Sequence, residues 1–164
     1  ALSCKPSLLI ADEPTTALDV TIQKQILRLM QNLRRELDTS IILITHDLSV
    51  VAEMADRVAV MYAGEIIEQA SVYDLFRQPL HPYTQGLINS TIKLGDTRDR
   101  LPTIPGTVPP LTNMPEGCHF HPRCPYATNA CRTQKPSMVH REEGHMVRCL
   151  RYVSQTQPKG GADT

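Results

Sequence analysis

Tryptophan is absent from this chain and phenylalanine occurs only twice. With aromatics at 4% of 164 residues, any compact region poor in aliphatic residues needs reinforcement other than burial. Excess charge is also lacking. Seventeen Lys and Arg balance seventeen Asp and Glu, which leaves no electrostatic case for nucleic-acid binding. No apolar run approaches the roughly 20 residues that cross a bilayer. The G-x-x-x-x-G-K-[S/T] loop, which cradles triphosphates through backbone N–H groups, occurs nowhere. Composition reads as that of a soluble, mainly cytosolic chain of one domain or one and a half.

What is present begins with Leu8-Leu9-Ile10-Ala11-Asp12-Glu13-Pro14. An apolar run ending in two carboxylates describes a buried central strand that delivers acids to a ligand at its C-terminal edge. One carboxylate can hold a divalent metal while its neighbour positions or deprotonates water. Pro14 restricts the residue before it, so the strand is expected to run extended through Glu13. Asp19 is placed to cap a helix reaching about Leu37, with Ile22, Ile26, Met30 and Leu33 at helical spacing. Ile41-Ile42-Leu43-Ile44 reads as a second buried parallel strand, joined to the first by a right-handed crossover. It leads into His46 and Asp47, the latter a cap for a helix from Leu48 to about Ala55. Strand ends of this kind should bring Asp12 and His46 to one crevice. Residues 57–62 and 65–69 read as paired strands around Ala63-Gly64.

The run from Asp12 to Asp19 resembles the Walker B motif and D-loop of ATP-binding-cassette (ABC) ATPases. Ile44-Thr45-His46-Asp47 resembles their switch-histidine segment. The resemblance implies that Asp12 helps hold Mg²⁺ with ATP and that Glu13 orients and polarises the attacking water. It further implies that His46 contacts the γ-phosphate and that Asp19 reaches across a dimer interface. In that family the phosphate loop and a Leu-Ser-Gly-Gly-type signature lie upstream, and both are missing here. The chain alone is therefore not expected to hydrolyse ATP.

Composition shifts in the second half. Ten of 13 prolines lie between Pro79 and Pro136. A short helix is expected over 71–78, and Pro82 suits the first turn of another. The runs His81-Pro82-Tyr83-Thr84, Ile104-Pro105-Gly106 and Gly117-Cys118-His119-Phe120-His121-Pro122-Arg123-Cys124 resemble the C-terminal extension of oligopeptide and dipeptide importer ATPases. Relatives in that group also move nickel or haem.

The expected organisation is α/β. Residues 1–78 form the C-terminal part of a P-loop ABC-type nucleotide-binding domain, and 79–150 form a small, Pro-rich, Cys-containing extension. Residues 151–164 form a polar tail, expected to be disordered.

Cys118, Cys124, Cys131 and Cys149 fall in the extension with spacing C-x5-C-x6-C-x17-C, while Cys4 reads as a core thiol near the first strand. Three readings stand for the four. Disulfides suit an oxidising compartment. Zinc sites usually show a closer Cys pair than any here. Four thiolates are the ordinary ligand set of an iron–sulfur cluster. His119 and His121 stand beside Cys118 as substitute ligands. The resemblance points to a [4Fe-4S] cluster, with Zn²⁺ the alternative. Either would supply cross-linking that burial in this aromatic-poor segment does not.

The implied function is that of the energy-coupling ATPase subunit of a peptide importer. It would sit peripherally on the cytoplasmic face of a prokaryotic membrane. Its partners would be a second ABC ATPase, two transmembrane permease subunits and, indirectly, an extracytoplasmic solute-binding protein. A non-catalytic metal-binding module is the alternative.

Overall fold

The computed structural model describes residues 5–91, 102–142 and 144–153, so Cys4 and the chain beyond Val153 lie outside the described residues. Two compact units divide at Asp56/Arg57. That boundary falls before the shift in proline content, because the hairpin of residues 57–71 pairs with the Pro-rich part rather than with the first strands.

Unit 1 holds strand β1 (Leu8–Asp12), helix α1 (Val20–Leu37), strand β2 (Ser40–Ile44) and helix α2 (Leu48–Met54). The two strands pair in parallel, Leu8 opposite Ser40 through Asp12 opposite Ile44. Asp19 caps α1 as its side chain suggests, accepting from Thr21 N–H at 2.9 Å and Ile22 N–H at 3.0 Å. Asp38 closes the helix in the left-handed conformation, with Arg34 and Arg35 in the last turn beside the helix's negative end. Leu27 and Met30 are buried on its inner face. Thr39 ties the turn to the entry of β1, its hydroxyl donating to Pro6 C=O at 2.7 Å.

Two expectations fail here. The strands are not buried on both faces. Burial alternates residue by residue, and Ile10 remains 62% exposed with Leu8, Ile42 and Ile44 near half. An all-apolar run marks a strand with both faces covered, and among the described residues only one face of this sheet is covered. Nor does β1 continue extended through Glu13. It ends at Asp12, and Glu13 adopts φ +43°, in the left-handed region.

Unit 2 is organised on an antiparallel four-stranded sheet in the order β3-β4-β6-β5. Its strands are β3 (Arg57–Tyr62), β4 (Glu65–Ser71), β5 (Val139–Glu142) and β6 (His145–Val147). The β3–β4 turn places Ala63 and Gly64 both at positive φ, the geometry of a tight two-residue hairpin. Helices α3 (Val72–Arg77) and α4 (Pro82–Asn89) follow, capped by Ser71 and His81 with Pro82 in the first turn of α4. Helices α5 (Asn129–Thr133) and α6 (Leu150–Val153) complete the unit. Residues 151–153, expected in a disordered tail, are thus helical.

Three of the seven aromatics are gathered in one place. Tyr62, Tyr83 and Phe120 pack ring to ring at 4.8–5.5 Å, with Ile67 buried beside them. The Pro-rich segment therefore takes its core from the β3–β4 hairpin. Arg123 straps the Ile104–Gly106 loop onto that core, donating to Pro105 C=O at 2.8 Å and Ile104 C=O at 3.2 Å while its guanidinium lies over Tyr62.

His81 sits inside this core at 1% exposure. Burial pushes its imidazole down to about 4, and Nδ1 accepts from Tyr83 N–H, so the ring is neutral at pH 7. An unfolded histidine protonates near pH 6.5. Between these values the unfolded state holds the extra proton, so the stability linked to His81 is complete above about pH 6.5. It is lost as pH falls toward 4, by up to about 3 kcal/mol. Urea unfolding of unit 2 should show this acid-side slope, and His81→Asn, which keeps a capping acceptor, should flatten it. An unchanged slope in the variant would assign the acid sensitivity to other groups.

Candidate functional site

Glu13 and His46 meet at the C-terminal ends of the paired parallel strands, and Asp12 is the last residue of β1 at that same end. Glu13 N–H donates to Ile44 C=O at 2.9 Å, extending the β1–β2 pairing one step past the strand. The turn beyond is closed by Thr16 N–H on Glu13 C=O at 3.1 Å. Together these bonds hold Glu13 at its positive φ, a conformation that costs about 1–3 kcal/mol for a non-glycine residue. The strained backbone delivers the carboxylate to His46, whose Nδ1 lies 2.9 Å from Glu13 Oε1. Thr16 Oγ1 donates to Oε2 at 2.9 Å. Hydrogen bonding by His46, then by Thr16, holds the Glu13 carboxyl below the usual carboxylate range. An ionised carboxylate only accepts, so His46 carries its proton on Nδ1 toward Glu13, and Nε2 is the ring's other polar atom. Both side chains are open to solvent, His46 at 78% and Glu13 at 45%.

Asp12 is exposed at the same strand end, opposite Ile44. A hard carboxylate oxygen there suits Mg²⁺. Asp19 lies apart from this pair in role: its carboxylate caps α1. Asp47 caps α2 through Ser49 N–H and also accepts from Gln23 Nε2 of α1 at 3.3 Å, fixing the loop that presents His46. Sequence reasoning gave no role of its own to Thr16 or Gln23. Thr16, three residues after Glu13 in a polar turn, carries a recognisable local signal. Gln23 carries none, because its partner is 24 residues away.

The four cysteines of unit 2 are all free thiols, Cys149 buried and the others partly so. No disulfide forms among them. Gly117 has φ +67°, and a β-carbon there would stand 2.6 Å from Cys131 C=O. Only glycine lets the two chain segments meet, with Cys118 N–H donating to Cys131 C=O at 2.9 Å. Thr128 Oγ1 lies 3.3 Å from Cys131 Sγ.

Burial pushes the Cys118 and Cys124 thiols up and Cys149 to about 11. Among the described residues no three His, Cys, Asp or Glu side chains stand together in metal-holding geometry, so the expected metal centre finds no support here. The substitute histidines have other partners. His121 Nδ1 lies 3.0 Å from Cys118 C=O, and His119 Nδ1 lies 3.5 Å from Glu65.

Residues 67–131 match the family described as oligopeptide/dipeptide transporter, C-terminal region. The chain is 57% identical over 94% of its length to the oligopeptide transport ATP-binding protein AppD of Bacillus subtilis, covering 47% of that protein. It is 53% identical over 93% of its length to a putative peptide import ATP-binding protein of Brucella ovis, again covering 47%. The dipeptide transport ATP-binding protein DppD of Escherichia coli is 46% identical over 91% of the chain, which covers 46% of it. The chain thus spans about half the length of the curated relatives it matches.

Gly117→Ala should open the Cys118–Cys131 contact. Thermal unfolding of unit 2 should shift downward by several degrees while α1 and the strand-end pair persist, as read by hydrogen exchange. Exchange rates unchanged near Cys118 and Cys131 would show that the close approach is dispensable.

Proposed function

We propose that this chain, a C-terminal region of the oligopeptide/dipeptide importer ATP-binding proteins, carries the hydrolytic edge of an ATPase subunit that powers uptake of di- or oligopeptides. The observation that carries this reading is the 2.9 Å contact of His46 Nδ1 with Glu13 Oε1 at the ends of two paired parallel strands. Phosphoryl transfer to water needs an in-line nucleophile and neutralised charge more than covalent chemistry. Glu13, ionised and held by His46 and Thr16, is equipped to orient a water and accept its proton. His46, anchored through Nδ1, keeps Nε2 for another partner and would contact the γ-phosphate with it. Asp12 would hold Mg²⁺, which supplies charge neutralisation at the phosphates. Asp19, beyond capping α1, would face a second ATPase subunit. The phosphate loop and signature would come from the rest of the subunit and from its partner. Two membrane permease subunits and, indirectly, a solute-binding protein complete the assembly, with the ATPase on the cytoplasmic face of the membrane.

The extension would hold a metal centre on Cys118, Cys124, Cys131 and Cys149, either a [4Fe-4S] cluster or Zn²⁺. What supports this reading is the presence of four free cysteines in one unit, the ordinary ligand set of such a centre; binding would have to offset the rise that burial imposes on the Cys118, Cys124 and Cys149 thiols. Binding would draw the sulfurs together from their present positions and cross-link a segment with a small core.

The test is Glu13→Gln in the full-length subunit that contains this chain, assembled with its partners. ATP should bind and remain uncleaved, with turnover lowered about 100-fold or more, the scale of a lost general base. Turnover near that of the parent would remove Glu13 from the reaction.

A further inference from the structure

Gln23 is a polar residue on the buried stripe of α1. Leu27 and Met30, four and seven positions on, are the buried residues of that helix, at 1% and 7% exposure. Residues at this spacing share a helix face, and Gln23 is itself partly buried. An aliphatic side chain there would bury more apolar surface. A polar residue that breaks the local pattern marks a position serving another segment. The amide shows which one: Nε2 donates to Asp47 Oδ2 at 3.3 Å, in the loop that carries His46.

Asp47 meets its local duty with its other oxygen. Oδ1 accepts from Ser49 N–H at 2.8 Å and Ser49 Oγ at 2.5 Å, which caps α2. Hydrogen bonding by Ser49 first holds the Asp47 carboxyl below the usual carboxylate range, so both oxygens accept and the Gln23 amide presents its NH₂. A carboxylate bonded at both oxygens has its rotation fixed. Asp47 N–H donates in turn to Thr45 Oγ1 at 3.1 Å, so His46 stands between two tied residues. Its side chain is 78% exposed. A ring packed so little takes its direction from the backbone beneath it and from Glu13.

We propose that Gln23 is a positioning residue for His46, its amide acting through Asp47 to fix the loop on which the imidazole stands. The inference rests on the reading of His46 as the γ-phosphate contact. Gln23 belongs to the first turn of α1, its N–H donating to Asp19 C=O at 2.9 Å. The amide therefore ties the start of α1 to the loop after β2. Without it Asp47 keeps its cap on α2, while the loop loses its anchor to α1. A reacting group displaced by about 1 Å can lose on the order of 100-fold in rate.

Single-turnover hydrolysis at saturating ATP, in the full-length subunit assembled with its partners, provides the test. Gln23→Leu removes the donor at similar size and should slow hydrolysis roughly 10- to 100-fold. Gln23→Lys restores a donor to Asp47 and should recover most of the rate. In a His46→Ala background the leucine substitution should cost nothing further, because residues acting through one group give non-additive losses. Hydrolysis by Gln23→Leu at the parent rate would overturn the proposal. An equal loss in both backgrounds would also overturn it, leaving Gln23 a structural residue of unit 1. Should the leucine variant fold poorly, Gln23→Glu sets an anion against Asp47 at constant size. A loss that His46→Ala masks supports the proposal, and no loss, or a loss it does not mask, overturns it. Hydrolysis by His46→Ala alone at the parent rate would overturn the reading of His46 and this proposal with it, an outcome distinct from the others.

Discussion

Glu68 lies in the middle of β4 with no exposure to solvent. Its carboxylate receives Leu80 N–H at 2.7 Å and His81 N–H at 2.8 Å, and His145 Nε2 lies 2.8 Å from Oε1. One buried acid thereby binds the hairpin, the entry to α4 and the start of β6. A buried charge is tolerated only when fully hydrogen-bonded, and losing one partner is strongly destabilising. The requirement fixes where the Pro-rich chain attaches. With α4 seated, Tyr83 reaches Tyr62 and Phe120. With β6 paired to β4, Arg148 N–H donates to Ile67 C=O, and Cys149 is carried into the buried side of the unit. The placement of Cys149 thus follows from a contact in which it takes no part.

The strand-end site follows a different logic. Parallel pairing of β1 with β2 sets two loops side by side, and strain at Glu13 aims its side chain across the gap. A glutamate continuing the strand in extended form would project to one face of the sheet. The left-handed turn brings it to His46. The chemistry attributed to this edge depends on that departure from regular geometry, held in place by Ile44 C=O, Thr16 and the histidine.

Much of unit 1 was legible because its signals are local. Caps at Asp19 and Asp47, the 3.6-residue stripe of α1 and the apolar run of β2 each announce their element within a few residues. Glu13 was misread because the rule for a residue before proline disfavours right-handed helix and predicts extension, whereas the bonds that override it come from residue 44 and from a turn. In unit 2 the hairpin and α4 were visible, but β5 and β6 were not. Strands of four and three residues carry no periodicity of their own and form because β4 offers an edge. Nothing local in the sequence marks Glu68 as buried, since its partners lie 12, 13 and 77 positions away. The cysteine spacing gave no sign that the segments of Cys118 and Cys131 meet, a contact that depends on the positive φ and missing side chain of Gly117.

The central claim is that Glu13 and His46 act as one unit in ATP hydrolysis. A double-mutant cycle tests it directly, using Glu13→Gln, His46→Ala and the pair in the full-length subunit with its partner ATPase. Single-turnover hydrolysis is measured with ATP saturating. Residues acting as a unit give grossly non-additive losses, so the double variant should be little slower than the slower single variant. Losses that multiply would mean that the two side chains act independently, and that their contact plays no part in the reaction.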